Sequence, residues 1–406
     1  MTQWTVERLG RKGDGVALAG DARALAALTL PGEVIEGEAV DGRIAAPRIL
    51  SPSPDRVRPA CPHYRACGGC SLMHGSDEFL RRWKVGVVEQ ALQAQGLAAP
   101  IAGIHVSPPR SRRRAVLSGR RTKKGALLGF HARASEVITD IADCQVLRPA
   151  IQDALPFLRR LVVAGGSRTG EMSLAVTETP AGLDVAVTGG KPMDSQLFQS
   201  LAALADEGDL ARLSWDDRTI TRRPPALVMG RARVVPPPGA FLQATPEGEA
   251  ALIAAVRDIT RGAGRVLDLF AGCGTFTLPL AEQAEIHAVE GLAAPLAALD
   301  AAARQTAGLR RITTETRDLA RRPLLPDELR HNAIVIDPPR AGAEAQAREI
   351  ARAQVARLAW VSCDPVTFAR DARILAEGGL DIVRLFVVDQ FRWSPHVETV
   401  AEIRRR

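Results

Sequence analysis

Aromatic side chains are scarce in this sequence: they make up 4% of it, with a single tyrosine. Extended stacking of bases on aromatic platforms is therefore not the expected mode of any nucleic-acid contact. Long apolar runs are missing too. None approaches the roughly 18–20 residues needed to cross a bilayer, so no membrane association is expected. The opening stretch, MTQWTVERLGRKGDG, lacks the apolar segment of a secretory signal, and a cytoplasmic location is expected. Cysteines number only six. In a cytoplasmic chain they favour metal-binding or reactive roles over disulfides. Between residues 106 and 125 (VSPPRSRRRAVLSGRRTKKG) acidic residues are absent, while eight are basic.

What is present describes a folded protein with a polyanionic partner. Apolar residues make up 46% of the chain and charged ones 24%, a balance typical of soluble globular domains. A length of 406 residues accommodates two or three domains. The net charge is +7, which suits a nucleic acid. Turn residues and an apolar alternation inside 106–125 predict a strand hairpin presenting arginines on one face. Arg112, Arg113, Arg114, Arg120 and Arg121 are the candidate phosphate contacts, with a merely solvated basic face as the alternative.

The chain divides into three regions. Residues 1–55 alternate short apolar stretches with Gly-rich turns and predict a small β-barrel. Residues 56–225 begin with CPHYRACGGC, continue through a predicted helix at 77–97 that is a candidate to pack on the following domain, and then mix strands and helices. From about 226 onward RVLDLF, IHAVE, RITTE, AIVID, LAWVS, LDIVRLFVV and TVAEI alternate with helical segments. That pattern predicts an α/β fold with a mostly parallel, mixed seven-stranded sheet whose last two strands form an antiparallel edge pair.

Three motifs carry chemistry. LDLFAGCGTF puts a Gly-x-Gly turn after the first strand, and Glu290 ends the second, placed to accept ribose hydroxyls. With no phosphate-binding lysine in the loop, an adenosine without polyphosphate is favoured, which points to S-adenosylmethionine (SAM). In AIVIDPPRAG an arginine, Arg340, stands where amine methyltransferases usually carry a base-stacking aromatic, so exocyclic amine methylation is disfavoured. Cys61, Cys67, Cys70 and Cys144 form a candidate metal quartet, and their spacing alone leaves zinc and an iron–sulfur cluster equally open.

FLQATPEG, DLFAGCGTF, HAVEG, IDPPRAG, VSCDPVTFARD and HVETV occur in this order. The set resembles the motifs of the RNA uracil-C5 methyltransferases, and CPHYRACGGC with the later DCQVL resembles the iron–sulfur module of that family's ribosomal-RNA members. The resemblance implies a class I SAM-dependent methyltransferase fold of Rossmann type at 226–406, a central α+β iron–sulfur domain at 56–225, and a TRAM-like RNA-binding barrel at 1–55. It implies SAM contacts at Gln243, Phe270, Thr275, Glu290, Asp318 and Asp337, and a 4Fe-4S cluster on Cys61, Cys67, Cys70 and Cys144. Thr245 and Ser111 depart from the family pattern, which has Asn and Tyr there.

Uracil C5 is a poor nucleophile. A thiolate adding to C6 enriches C5 in electrons, and a base must later remove the C5 proton. The resemblance assigns these roles to Cys363 and Glu398, with Asp337 orienting the pyrimidine or cofactor. Cys363 precedes a helix N-terminus, which is expected to favour the thiolate. Cys273 reads as packing. The implied substrate is 23S ribosomal RNA, modified to 5-methyluridine by a monomer. A transfer-RNA T-loop enzyme and a non-catalytic RNA-binding or assembly factor are the rival readings.

Overall fold

The structure, a computed structural model, describes residues 2–406. Its largest sheet has eight strands. From one edge to the other they are Ile312–Thr316, Glu285–Glu290, Arg265–Leu269, Ala333–Ile336, Arg357–Ser362, Glu398–Arg405, Leu380–Asp389 and Ile101–Val106. All neighbours pair in parallel except Glu398–Arg405, which runs antiparallel to both of its neighbours. Ala333–Ile336 is buried at every residue, as expected of a central parallel strand covered on both faces. Helix Pro246–Ile259 lies in the apolar cluster on one side of the sheet. Helices Glu344–Arg352 and Pro365–Glu377 lie in the cluster on the other.

Two sequence expectations change here. The sheet has eight strands, not seven, because Ile101–Val106 from the central region pairs with Leu380–Asp389 and covers what would have been an open edge. The last two strands of the chain are therefore interior. Helix Asp77–Gln93 also joins this domain: Val88 and Leu92 lie in the same cluster as Leu375 and Leu385. A boundary at 225/226 thus does not separate the catalytic sheet from everything before it.

The central region builds a second sheet of seven strands, running from Ile138–Asp140 through Arg114–Arg121 to Arg218–Thr221. Helices Leu155–Gly165 and Ser195–Glu207 pack on it through a core that includes Leu117, Leu174, Val185 and Trp215. The N-terminal six strands pair in the order Arg43–Ile44, Ala22–Ala26, Gly15–Ala19, Thr2–Leu9, Val34–Gly37, Arg48–Ser51 around Trp4, Val6 and Ile35. A further cluster, with Leu9, Leu30, Tyr64, Leu72, Leu80 and Trp393, joins this sheet to the cysteine segment and to the last loop of the catalytic domain.

Candidate active site

Phe270, Glu290, Asp337 and Cys363 all stand at the carboxyl ends of parallel strands, the edge where open α/β sheets bind ligands. Because Glu398–Arg405 is antiparallel, its first residue arrives at that same edge. Ser362 pairs with Thr399, so Cys363 and Glu398 are neighbours although 35 residues separate them in sequence.

The electrostatics of this cluster are unusual. Glu398 is buried, and that burial, with Asp337 nearby, pushes its carboxyl up to about 8. Burial and then Asp268 push Asp337 up to about 7. The Cys363 thiol is pushed up to about 12 by burial and by Glu398 and Asp337, with Arg340 opposing. The expectation that the helix N-terminus would favour a Cys363 thiolate is therefore not met. Asp364 caps helix Pro365–Glu377 instead, accepting from the backbone N–H groups of Val366 (2.9 Å) and Thr367 (3.3 Å). The helix dipole is answered by that carboxylate and not by the sulfur.

A hydrogen-bonded chain runs into the site from below. The Ala244 N–H donates to Gln390 Oε1 (2.7 Å), Gln390 Nε2 to Gln243 Oε1 (2.5 Å), and Gln243 Nε2 to Asp337 Oδ2 (3.4 Å). Gln390 lies close enough to Glu398 to draw its carboxyl down, against the larger effect of burial. Sequence reasoning missed Gln390; its place eight residues before Glu398, at the end of a strand, is the only signal. Thr245, where the family has Asn, is the N-cap of helix Pro246–Ile259, accepting from the Gly248 N–H (3.0 Å). Ser111 bonds the Pro108 carbonyl (2.7 Å).

The glycine-rich turn is built for close approach. Phe270 has φ 62°, unusual for a bulky residue, and Gly272 and Gly274 have φ 55° and 96°. A side chain on Gly272 would meet open space. Glu290 accepts from the Gly272 N–H (3.0 Å) and the Leu292 N–H (2.9 Å), which fixes its carboxylate beside the turn. Asp268 is fully buried beneath it and is pushed up to about 7, chiefly by burial; its Oδ2 accepts from Thr277, while Oδ1 has no partner among the described residues. Thr275 is half-buried in the same turn. Asp318 is exposed beyond strand Ile312–Thr316, its Oδ1 accepting from the Ala320 N–H at 3.0 Å. Cys273 is buried, consistent with packing.

The arginine stretch splits. Arg112 lies over the Phe391 ring at 5.5 Å, and Arg114 donates to the Gly239 carbonyl (3.3 Å). Arg120 pairs with Glu171 (3.3 Å), and Arg121 is half-buried. Arg113 departs from expectation. It is buried, ion-paired with Glu249 of helix Pro246–Ile259, and bonded to the Gln243 carbonyl (3.3 Å). Its guanidinium ties the central region to the catalytic domain and is not presented to a phosphate.

Cys61, Cys67, Cys70 and Cys144 line one cavity of about 530 Å³, together with Arg112, Arg114, Arg340, Phe391 and His396. All four are free thiols. Burial and their mutual proximity push the Cys67, Cys70 and Cys144 thiols up. Among the described residues, no group of three or more Cys, His, Asp or Glu side chains is arranged to hold a metal ion.

A sequence profile of the tRNA (uracil-5-)-methyltransferase family matches residues 236–406. An uncharacterized RNA methyltransferase of Brucella suis biovar 1 is 44% identical over 98% of this chain and 97% of its own length. The 23S rRNA (uracil(1939)-C(5))-methyltransferase RlmD of Chromohalobacter salexigens is 33% identical over 99% of this chain and 89% of its own. The chain belongs to the RNA uracil-C5 methyltransferase family. Its fold is also that of the Pyrococcus abyssi tRNA (uracil-54, C5)-methyltransferase solved with S-adenosyl-L-homocysteine, with a TM-score of 0.77 over 99% of both chains at 20% identity. The glycine turn, Glu290 and the Asp268 oxygen that is unpartnered among the described residues fit a SAM donor. Among the described residues, no helix is long and apolar enough to cross a membrane.

Proposed function

We propose that this methyltransferase makes 5-methyluridine in 23S ribosomal RNA, in the cytoplasm, by covalent catalysis. The observation that carries the reading is the convergence of one thiol, Cys363, with two carboxyls, Asp337 and Glu398, at the carboxyl edge of the sheet. Bound SAM supplies an electrophilic methyl. Cys363 adds to C6 of a uracil flipped from its RNA, giving up its proton as the C–S bond forms. Asp337, titrating near 7, is the nearby acceptor that leaves Glu398 free. C5 is then electron-rich and takes the methyl. Glu398 removes the C5 proton, the C5–C6 double bond re-forms, and the thiolate leaves.

The ribosomal assignment is supported by the similarity to RlmD along nearly the whole chain and by the cysteine quartet. The quartet is proposed to hold a 4Fe-4S cluster with a structural role. The four cysteines line one cavity, and thiolates are the ligands such a cluster takes. RNA contact is proposed along Arg112, Arg114, Arg120 and Arg121. Arg114 and Arg120 each spend one terminal nitrogen, on the Gly239 carbonyl and on Glu171, and a guanidinium has further N–H donors. The N-terminal sheet, TRAM-like in this reading, adds Lys12 at the same cavity, and its Arg11 reaches Asp364 at 3.6 Å. Incubation with labelled SAM and separated ribosomal and transfer RNAs, followed by nucleoside mapping, tests the substrate. Label confined to transfer RNA would reassign it.

A further inference from the structure

We infer that Lys84 is a positioning residue for the catalytic base: its ammonium closes the neck of the loop 390–397 and so fixes Glu398. The inference rests on the proposed role of Glu398. Lys84 lies on helix Asp77–Gln93, outside the catalytic region in sequence, yet it is 1% exposed. An ammonium has three N–H donors, and all three find acceptors here. They are Asp389 Oδ1 (2.5 Å), the Phe391 carbonyl (3.2 Å) and the His396 carbonyl (2.9 Å).

These acceptors belong to the two ends of one loop. The ladder between Leu380–Asp389 and Glu398–Arg405 ends at the pair Val388 and Glu398, so strand pairing does not hold residues 390–397. Lys84 bridges that gap. Asp389 Oδ1 also accepts from the Phe391 N–H (3.0 Å), which tightens the first end. Gln390, which bonds Gln243 and the Ala244 N–H and lies near Glu398, follows directly. Glu398 is two residues beyond His396. The loop's tip is held separately, by the N–H groups of Ser71 (2.9 Å) and Leu72 (3.0 Å) on the Trp393 carbonyl.

Burying an ion pair is an inefficient way to gain stability, because desolvation offsets much of the attraction. What the ammonium provides is direction: it draws two carbonyls five residues apart onto one point. A carboxylate that must take a proton from C5 needs such placement, since misplacement by about 1 Å can cost a hundredfold in rate. In that step Glu398 gains the C5 proton, the C5–H electron pair becomes part of the C5–C6 double bond, and the C6–S pair leaves with Cys363. Addition and methyl transfer use Cys363 and Asp337, which Lys84 does not touch. Loss of Lys84 should therefore slow elimination more than addition, which it reaches only through Gln390 and Gln243.

The test is the Lys84→Met/Asp389→Asn double variant, which removes both buried charges together. SAM affinity should stay within about twofold, turnover should fall about 10–100-fold, and a denaturation-resistant protein–RNA complex carrying the labelled methyl should accumulate. Asp389→Asn alone keeps both carbonyl bonds to the ammonium and should lose clearly less turnover than the double variant. Lys84→Gln/Asp389→Asn restores amide donors without charge and should recover part of the turnover, with less trapped complex than the Met variant. If the Met variant does not bind SAM, this Gln variant decides: native turnover without trapping overturns the inference. So does a SAM-binding Met variant with native turnover, a parallel loss of turnover and adduct, or an Asp389→Asn defect as large as the double variant's. Glu398→Gln is the control. If it traps methylated complex and the Lys84 variants do not, only the Lys84 inference fails. If Glu398→Gln itself traps none, the base assignment fails and takes this inference with it.

Discussion

Replacing Arg113 with Met should destabilise the fold while leaving RNA contact intact. The Arg113 and Glu249 side chains are each 8% exposed and pair with one another across the junction of the central and catalytic regions. Removing the guanidinium strands a buried carboxylate, a change that costs about 3–5 kcal/mol. The lost bond to the Gln243 carbonyl adds about 1 kcal/mol. With a urea slope of about 3 kcal/mol/M for a chain this large, the unfolding midpoint should fall by about 1–2 M. Arg113→Met/Glu249→Leu should recover most of that, because no unpaired charge remains. RNA binding by Arg113→Met should keep its native salt slope. Arg112→Ala/Arg114→Ala should instead flatten the slope by about 1.4, from two contacts at about 0.7 each. An Arg113→Met protein with native urea stability and a flattened slope would refute the burial argument.

Glu398 must be ionised to accept the C5 proton, so single-turnover elimination should accelerate as pH rises through about 8; a flat profile between about pH 6 and 9 contradicts this. Stability should run the other way. Asp268, Asp337 and Glu398 have folded-state values above their ordinary ones, so their protonated forms favour folding fully below about pH 4, and that contribution is lost as pH rises through about 7–8. Melting of the ligand-free protein across this range checks the sign. Anaerobically purified protein should contain about four irons per chain, and Cys67→Ser should lose them; stoichiometric zinc without iron would refute the cluster.

The parallel strands and their order along the chain could be read from alternating apolar runs and helices, and the motif residues fell at strand ends because ligands of such sheets bind there. Cys363 and Glu398 could be nominated, but their adjacency depends on the antiparallel pairing of Ser362 with Thr399, which no local pattern dictates. The eighth strand, IAGIHV, is too weakly apolar to stand out and is defined by the edge it covers. Arg112, Arg113 and Arg114 look alike in sequence. Only the approach of Glu249, 136 residues away, turns the middle one inward. Lys84 sits in an amphipathic helix where a lysine reads as solvent-facing, and its burial comes from a loop more than 300 residues later. The rise in the Cys363 thiol likewise required the surrounding carboxyls to be placed.

Covalent catalysis by Cys363 is tested most directly by mass spectrometry of the species trapped when the Glu398→Gln protein meets 23S ribosomal RNA and labelled SAM. The account predicts a peptide containing Cys363 bonded through sulfur to a uridine that already carries the labelled methyl at C5, and no such species with Cys363→Ala. A methylated uridine formed by Cys363→Ala, or a trapped nucleotide attached to any other residue, would contradict it.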